Sequence, residues 1–181
     1  MKTSKKIAVI ALMSATMTGG KTAMAFLPNV EPVSILLAVY AFVFGFTFAL
    51  PAAFVFALTE TLIWGINTWV ISYFIYWPLL AVVFSLLSAK KAPVWLAVAS
   101  AVALTAFFGV LTSLVDVGLF MGRFDNFWAR FGVMYARGVV FYAVHIVSNL
   151  AIFCACFRPL CRALAKIKSQ LFPAELGGQI N

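Results

Sequence analysis

The sequence predicts an all-α membrane protein of six transmembrane helices with both termini on the cytoplasmic side. Three observations predict it. Apolar residues make up 65% of the 181-residue chain and charged residues only 10%, against about 25% charged in a soluble domain. Mean hydropathy is +1.07, and the apolar residues fall into six runs separated by short polar turns. The basic residues gather at alternate turns. Lys2, Lys5 and Lys6 precede the first run, Lys90 and Lys91 part the fourth from the fifth, and Arg158, Arg162, Lys166 and Lys168 follow the sixth. The positive-inside rule places all of these in the cytoplasm, which requires an even number of spans between the ends. The net charge of +8 is therefore orientation charge at the face of a cell membrane, not a nucleic-acid footprint. The whole of 1–181 reads as one multi-pass membrane domain with no internal repeat, and 173–181 is expected to be a mobile tail.

The first run, about 7–26, contains ATMTGGKT at 15–22. The pattern matches a phosphate-binding loop, with Ala15 in place of the usual first glycine. Such a loop joins a strand to a helix so that backbone N–H groups face the phosphates. Here the pattern sits inside a hydrophobic helix, and no strand ending in Asp could hold Mg²⁺. It reads as a chance match, and the chain is not expected to hydrolyse ATP. Ala8, Ala11 and Ala15 on the same helix recur at spacings of three and four. A small-x-x-x-small face lets another helix approach closely in lipid, whether from this chain or from a partner. Ala23-Met24-Ala25 has the form of a signal-peptide cleavage site, but Lys21 so close to the cut argues against processing.

Runs two and three, about 33–45 and 50–65, are short against the roughly 20 residues of a span. Joined, they would be too long for one. The break falls between Gly45 and Pro51, and Pro51 suits the first turn of a new helix. Run four, about 69–88, contains Pro78 and is expected to kink there. Run five is about 94–114 and run six about 133–157.

Polar residues near the outer ends of the runs are the candidate site, because ionisable groups in spans are costly and default to function. Asn29 and Glu31 stand in the turn LPNVEP, stiffened by two prolines. Glu60, inside run three, is expected to pair with Lys21, with a ligand contact as the alternative. Trp64, Asn67 and Trp69 form the next outer turn, and Tyr73, Tyr76 and Trp77 follow it. Aromatic residues of this kind serve either as an interfacial belt or as the flat walls of a small-molecule pocket. In the segment 116–137, Arg123, Arg130 and Arg137 recur every seven residues with Trp128 among them. If helical, they share a face, turned either to lipid headgroups or into a pocket needing donors. His145 and Asn149 lie four apart on one face of the last run, suited to an interhelical hydrogen bond or to a ligand. Cys154, Cys156 and Cys161 have no metal-ligand spacing and are expected to be free thiols. No nucleophile is paired with a base, so an enzyme is disfavoured. A stand-alone secondary transporter would need ion-coupled charges at the midplane and often an inverted repeat, and only Lys21 and Glu60 are candidates.

The chain resembles the S-components of energy-coupling factor (ECF) transporters over nearly its whole length. The resemblance rests on Ala11-x-x-x-Ala15 in the first helix, on LPNVEPVS after it, and on WGINTW followed by YFIYWPLL. It implies a subunit that captures a vitamin from outside without chemistry or a bound cofactor. It also implies docking, through Ala8, Ala11 and Ala15, on a membrane coupling subunit served by two cytoplasmic ATPases, which use ATP and Mg²⁺. The turn PNVEPV looks most like the S-components associated with cobalamin or a corrinoid precursor. Folate, pantothenate and a queuosine precursor are the alternatives.

Overall fold

A computed structural model describes residues 3–120 and 125–173. These form six α-helices: α1 (Thr3–Ala23), α2 (Val33–Phe44), α3 (Phe46–Trp64), α4 (Thr68–Ala89), α5 (Val94–Val115) and α6 (Phe127–Leu171). α5 runs on into a π-helical stretch, Asp116–Phe120. The expected tail lies, except for Pro173, outside the described residues.

Helix α2 is the hub, touching α1, α3, α4 and α6. Its sequence is apolar on all sides, the mark of a helix surrounded by others. Val33, Ile35, Leu37, Ala38, Val39, Tyr40, Ala41 and Phe44 are all buried. With 12 residues it is only about 18 Å long, too short to cross about 30 Å of hydrocarbon. Four helices are long and apolar enough to cross: α3, α4, α5 with its extension to Leu119, and α6. Their outer faces remain apolar. Leu62 is 86% exposed, Val140 70% and Val147 65%, an outer surface that suits lipid rather than water. The chain is a membrane-embedded helical protein on this ground. α1 has the length, at 21 residues, but is more polar than these four and carries Lys5, Lys6 and Lys21.

Two helices differ in their bounds from the sequence reading. α3 starts at Phe46, so Pro51 lies in its second turn and not its first. The break belongs to Gly45, whose φ of 83° and ψ of 177° fall in a region open essentially to glycine alone. α6 is 45 residues long and takes in much of the segment expected to be an outer loop. Helix α4 runs through Pro78 from Thr68 to Ala89, within one residue of the expected run at each end.

The two ends of the bundle differ in charge. At one end Lys5 Nζ donates to the Leu171 carbonyl at 2.5 Å, Lys168 Nζ to the Val43 carbonyl at 2.8 Å, and Ser88 Oγ to the Phe42 carbonyl at 2.5 Å. These contacts bring the start of α1, the α2–α3 break, the Lys90–Lys91 turn and the end of α6 together. At the other end the α1–α2 turn packs on α6: Asn29 Nδ2 donates to the Phe141 carbonyl at 3.2 Å and Ser148 Oγ to the Asn29 carbonyl at 3.0 Å. Gly20 has a packing use here. A Cβ on it would lie 2.9 Å from Pro32 Cγ, so the close approach of α1 to α2 requires glycine.

Candidate functional site

A cavity of ≈ 250 Å³ opens at the end opposite the Lys90–Lys91 turn. Its polar wall is Lys21, Asn29, Glu31 and His145, and its aromatic wall is Trp64, Tyr73, Trp77 and Phe108. Larger grooves lie at the basic end, but here opposite charges and aromatic rings converge, as in small-molecule sites.

Glu31 is placed by the helix that follows it. Its carboxylate accepts from Val33 N at 2.5 Å, from Ser34 N at 3.2 Å and from Ser34 Oγ at 2.6 Å. A negative charge on the free N–H groups of α2 is stabilised by the helix dipole. One oxygen also lies 3.4 Å from His145 Nε2. His145 is itself buried, with its ring edge-on to Phe108 at 5.8 Å. One turn below, Asn149 Nδ2 donates to Thr105 Oγ1 at 2.9 Å, tying α6 to α5.

Lys21 and Glu60 form the expected ion pair between α1 and α3. The Glu60 side chain is fully buried, while that of Lys21 is 27% exposed toward the cavity. Lys21 Nζ also lies 5.0 Å from the Tyr73 ring centre and 5.5 Å from that of Trp69, within cation–π range. The lysine of the phosphate-loop pattern thus sits inside a helix and is held by a carboxylate and two rings. Among the described residues, the buried atoms Glu60 Oε1, Trp77 Nε1 and Thr18 Oγ1 have no hydrogen-bond partner. Trp77 lies in the cavity wall.

Asn29, Glu31, Trp64, Tyr73 and His145 are brought together as the sequence predicts. The others are not. Trp69 stands behind Tyr73, with ring centres 4.8 Å apart. Tyr76 is fully buried against Trp77 and Phe108. Asn67 is the exposed residue before α4. Trp128 is 74% exposed, and Arg130 and Arg137 line a separate surface pocket of ≈ 320 Å³. The length of α6 is the reason: at 1.5 Å per residue, Arg137 lies about 12 Å and Arg130 about 22 Å along the axis from His145. Arg123 lies outside the described residues. Sequence reasoning missed Phe108, because α5 is apolar on every face and nothing marks which side looks inward. It had Trp77 within reach, in the same aromatic cluster as Tyr73.

Ala8, Ala11 and Ala15 are all exposed, and α1 buries Val9, Met13 and Met17 instead. Gly19 extends the bare strip, with nothing within 4 Å of a Cβ placed there. Among the described residues no three His, Cys, Asp or Glu side chains gather where they could hold a metal ion. No family model, curated protein or solved structure matches the chain.

Proposed function

We propose that this chain is the substrate-binding S-component of an ECF-type importer, capturing a small vitamin or vitamin precursor in the cavity bounded by Glu31, His145, Lys21 and Tyr73. The cavity carries the proposal: it is polar and aromatic, and it lies at the end of the bundle opposite the basic cluster of Lys5, Lys90, Lys91 and Lys168. By the positive-inside rule that end faces outward. Both termini are then cytoplasmic, α1 and the short α2 join α3 to α6 as six passes, and the chain lies in the cell membrane. Capture needs no catalysis by this chain. Coupling to ATP and Mg²⁺ occurs in two ATPase partners, reached through a membrane coupling subunit that docks on Ala8, Ala11 and Ala15, the exposed small face of α1.

Size bears on the substrate. At ≈ 250 Å³ the cavity falls just below the roughly 300–1,000 Å³ of drug-sized pockets. A corrinoid macrocycle far exceeds it, so the geometry favours the smaller alternatives over cobalamin and folate. Tyr73, Trp77, Phe108 and Trp64 offer flat faces, and Glu31 and Lys21 offer an acceptor and a donor, which fits a planar heterocycle such as a queuosine precursor. Pantothenate fits the volume but makes less use of the rings. The test is calorimetric titration of the purified chain with a panel of these vitamins, cobalamin included. Tight binding of one small member, weakened by Tyr73→Ala, is expected. Cobalamin as the sole binder would move the site elsewhere.

A second reading is favoured by one observation, the buried Glu60 with an unpartnered oxygen. A carboxylate in that position could couple a stand-alone transporter to protons. Co-purification with two ATPase subunits separates the readings, since a secondary transporter has none.

A further inference from the structure

The basic end carries a groove of ≈ 670 Å³ between the end of α2, the start of α5 and the last turns of α6. Its floor is apolar. Phe42 and Phe157 meet edge-to-face at 5.3 Å, with Val43 and Val94 beside them. Its rim is cationic, because Arg158 and Arg162 lie one turn apart on the same face of α6. Both are exposed, and among the described residues neither makes an ion pair or a side-chain hydrogen bond. Lys168 closes the groove by donating to the Val43 carbonyl at 2.8 Å. A second apolar groove, ≈ 620 Å³, shares Phe42, Val43 and Lys168 with the first.

We propose that this double groove binds one anionic phospholipid, its phosphate held by Arg158 and Arg162 and its two acyl chains laid along the two apolar floors. Charge complementarity selects the headgroup. Glu31, Glu60, Asp116 and Asp125 are the acids among the described residues, and none of them lines either groove. Guanidinium groups match phosphate oxygens in a forked geometry that an ammonium cannot copy. The apolar floors select a lipid over a free anion, and two joined floors select a two-chain lipid. The leaflet also fits, since the basic end is the one that meets the anionic cytoplasmic surface. Nothing in this depends on what the outer cavity binds.

The test uses the full chain and native mass spectrometry with three probes: phosphatidylglycerol, phosphatidylcholine and glycerol phosphate. Phosphatidylglycerol is expected to be retained one-to-one, with the other two washed away. Arg158→Gln/Arg162→Gln should weaken it by roughly 30-fold, while Lys90→Gln/Lys91→Gln, outside the grooves at the same end, should change it by less than about threefold. Ala165→Trp fills the first groove without touching a charge and should also expel the lipid, which keeps the proposal testable if the arginine variant fails to fold. Equal weakening in both charge variants would mean a diffuse field and overturn the site. Equal retention of phosphatidylcholine, or glycerol phosphate bound as tightly as the lipid, would do the same. Loss of self-association in place of lipid would assign the groove to a second copy of the chain.

Discussion

Glu60 is fully buried and pairs with Lys21. Removing one member of a buried pair leaves the other unpaired, which costs about 3–5 kcal/mol, whereas removing both is often nearly neutral. Lys21→Met should therefore lower the melting temperature of the detergent-purified protein sharply, and Lys21→Met/Glu60→Gln should recover most of the loss. A double variant as unstable as the single one would show that the lysine acts through its contacts with Tyr73 and Trp69 instead. Glu31 rests on a different balance. It serves the N–H groups of Val33 and Ser34, so Glu31→Gln should cost about 1 kcal/mol, in the range of a lost helix cap, and should weaken ligand binding as well. Melting and titration read the two effects separately. At this scale the sequence was legible where a residue stood alone: one acid in an apolar run calls for one base at similar depth. It was misleading for Arg130 and Arg137, whose sevenfold spacing is real but whose helix carries them away from the cavity.

Helix boundaries rest on two glycines. Gly45 and Gly65 take φ of 83° and 79°, each with ψ of 177°, a conformation that costs other residues about 1–3 kcal/mol. Gly45→Ala should lose that much stability in thermal unfolding, and should do so with Pro51 untouched, because the proline is not the break. Pro51 drew attention in the sequence since proline is the louder helix signal. The need for a positive φ, which marks the true boundary, has no local signature beyond the glycine itself. The α5–α6 contact holds another glycine of consequence. The Tyr142 ring lies against Gly109, where a Cβ would come within 2.7 Å of Cγ, and its hydroxyl shares a hydrogen bond of 2.9 Å with Ser113 Oγ. Gly109→Ala should destabilise by about 1–3 kcal/mol through overpacking, and the same change in a Tyr142→Leu background should cost less. The six helices were legible from their apolar runs because the period of the turns survives in composition. The inward faces were not, since a lipid-facing leucine and a core leucine look alike in sequence.

For the whole molecule, the asymmetry of its ends makes the strongest claim. Among the described residues, Lys5, Lys6, Lys90, Lys91, Arg158, Arg162, Lys166 and Lys168 are the charges at one end, and the acids Glu31, Glu60, Asp116 and Asp125 lie away from it. If that end is cytoplasmic, a cysteine replacing Lys90 in a cysteine-free background should react with an impermeant thiol reagent only after the cells are opened. One replacing Trp128, 74% exposed, should react in intact cells. The same orientation fixes what α1 can do. Its buried face, with Val9, Met13 and Met17, is already used against the bundle, while Ala8, Ala11 and Ala15 look outward. A bare alanine strip in lipid gains little by facing acyl chains, but it lets a second helix come close enough for extensive van der Waals contact. Ala11→Trp puts a large ring into that approach without touching the core, so the chain should fold and bind its ligand as before. On the proposed docking role, its capture of ATPase subunits in a pull-down from membranes should fall to background, and uptake of the captured vitamin should stop. Unchanged capture would move the docking surface off α1. Loss of ligand binding along with capture would mean that α1 transmits strain to Lys21, six residues past Ala15.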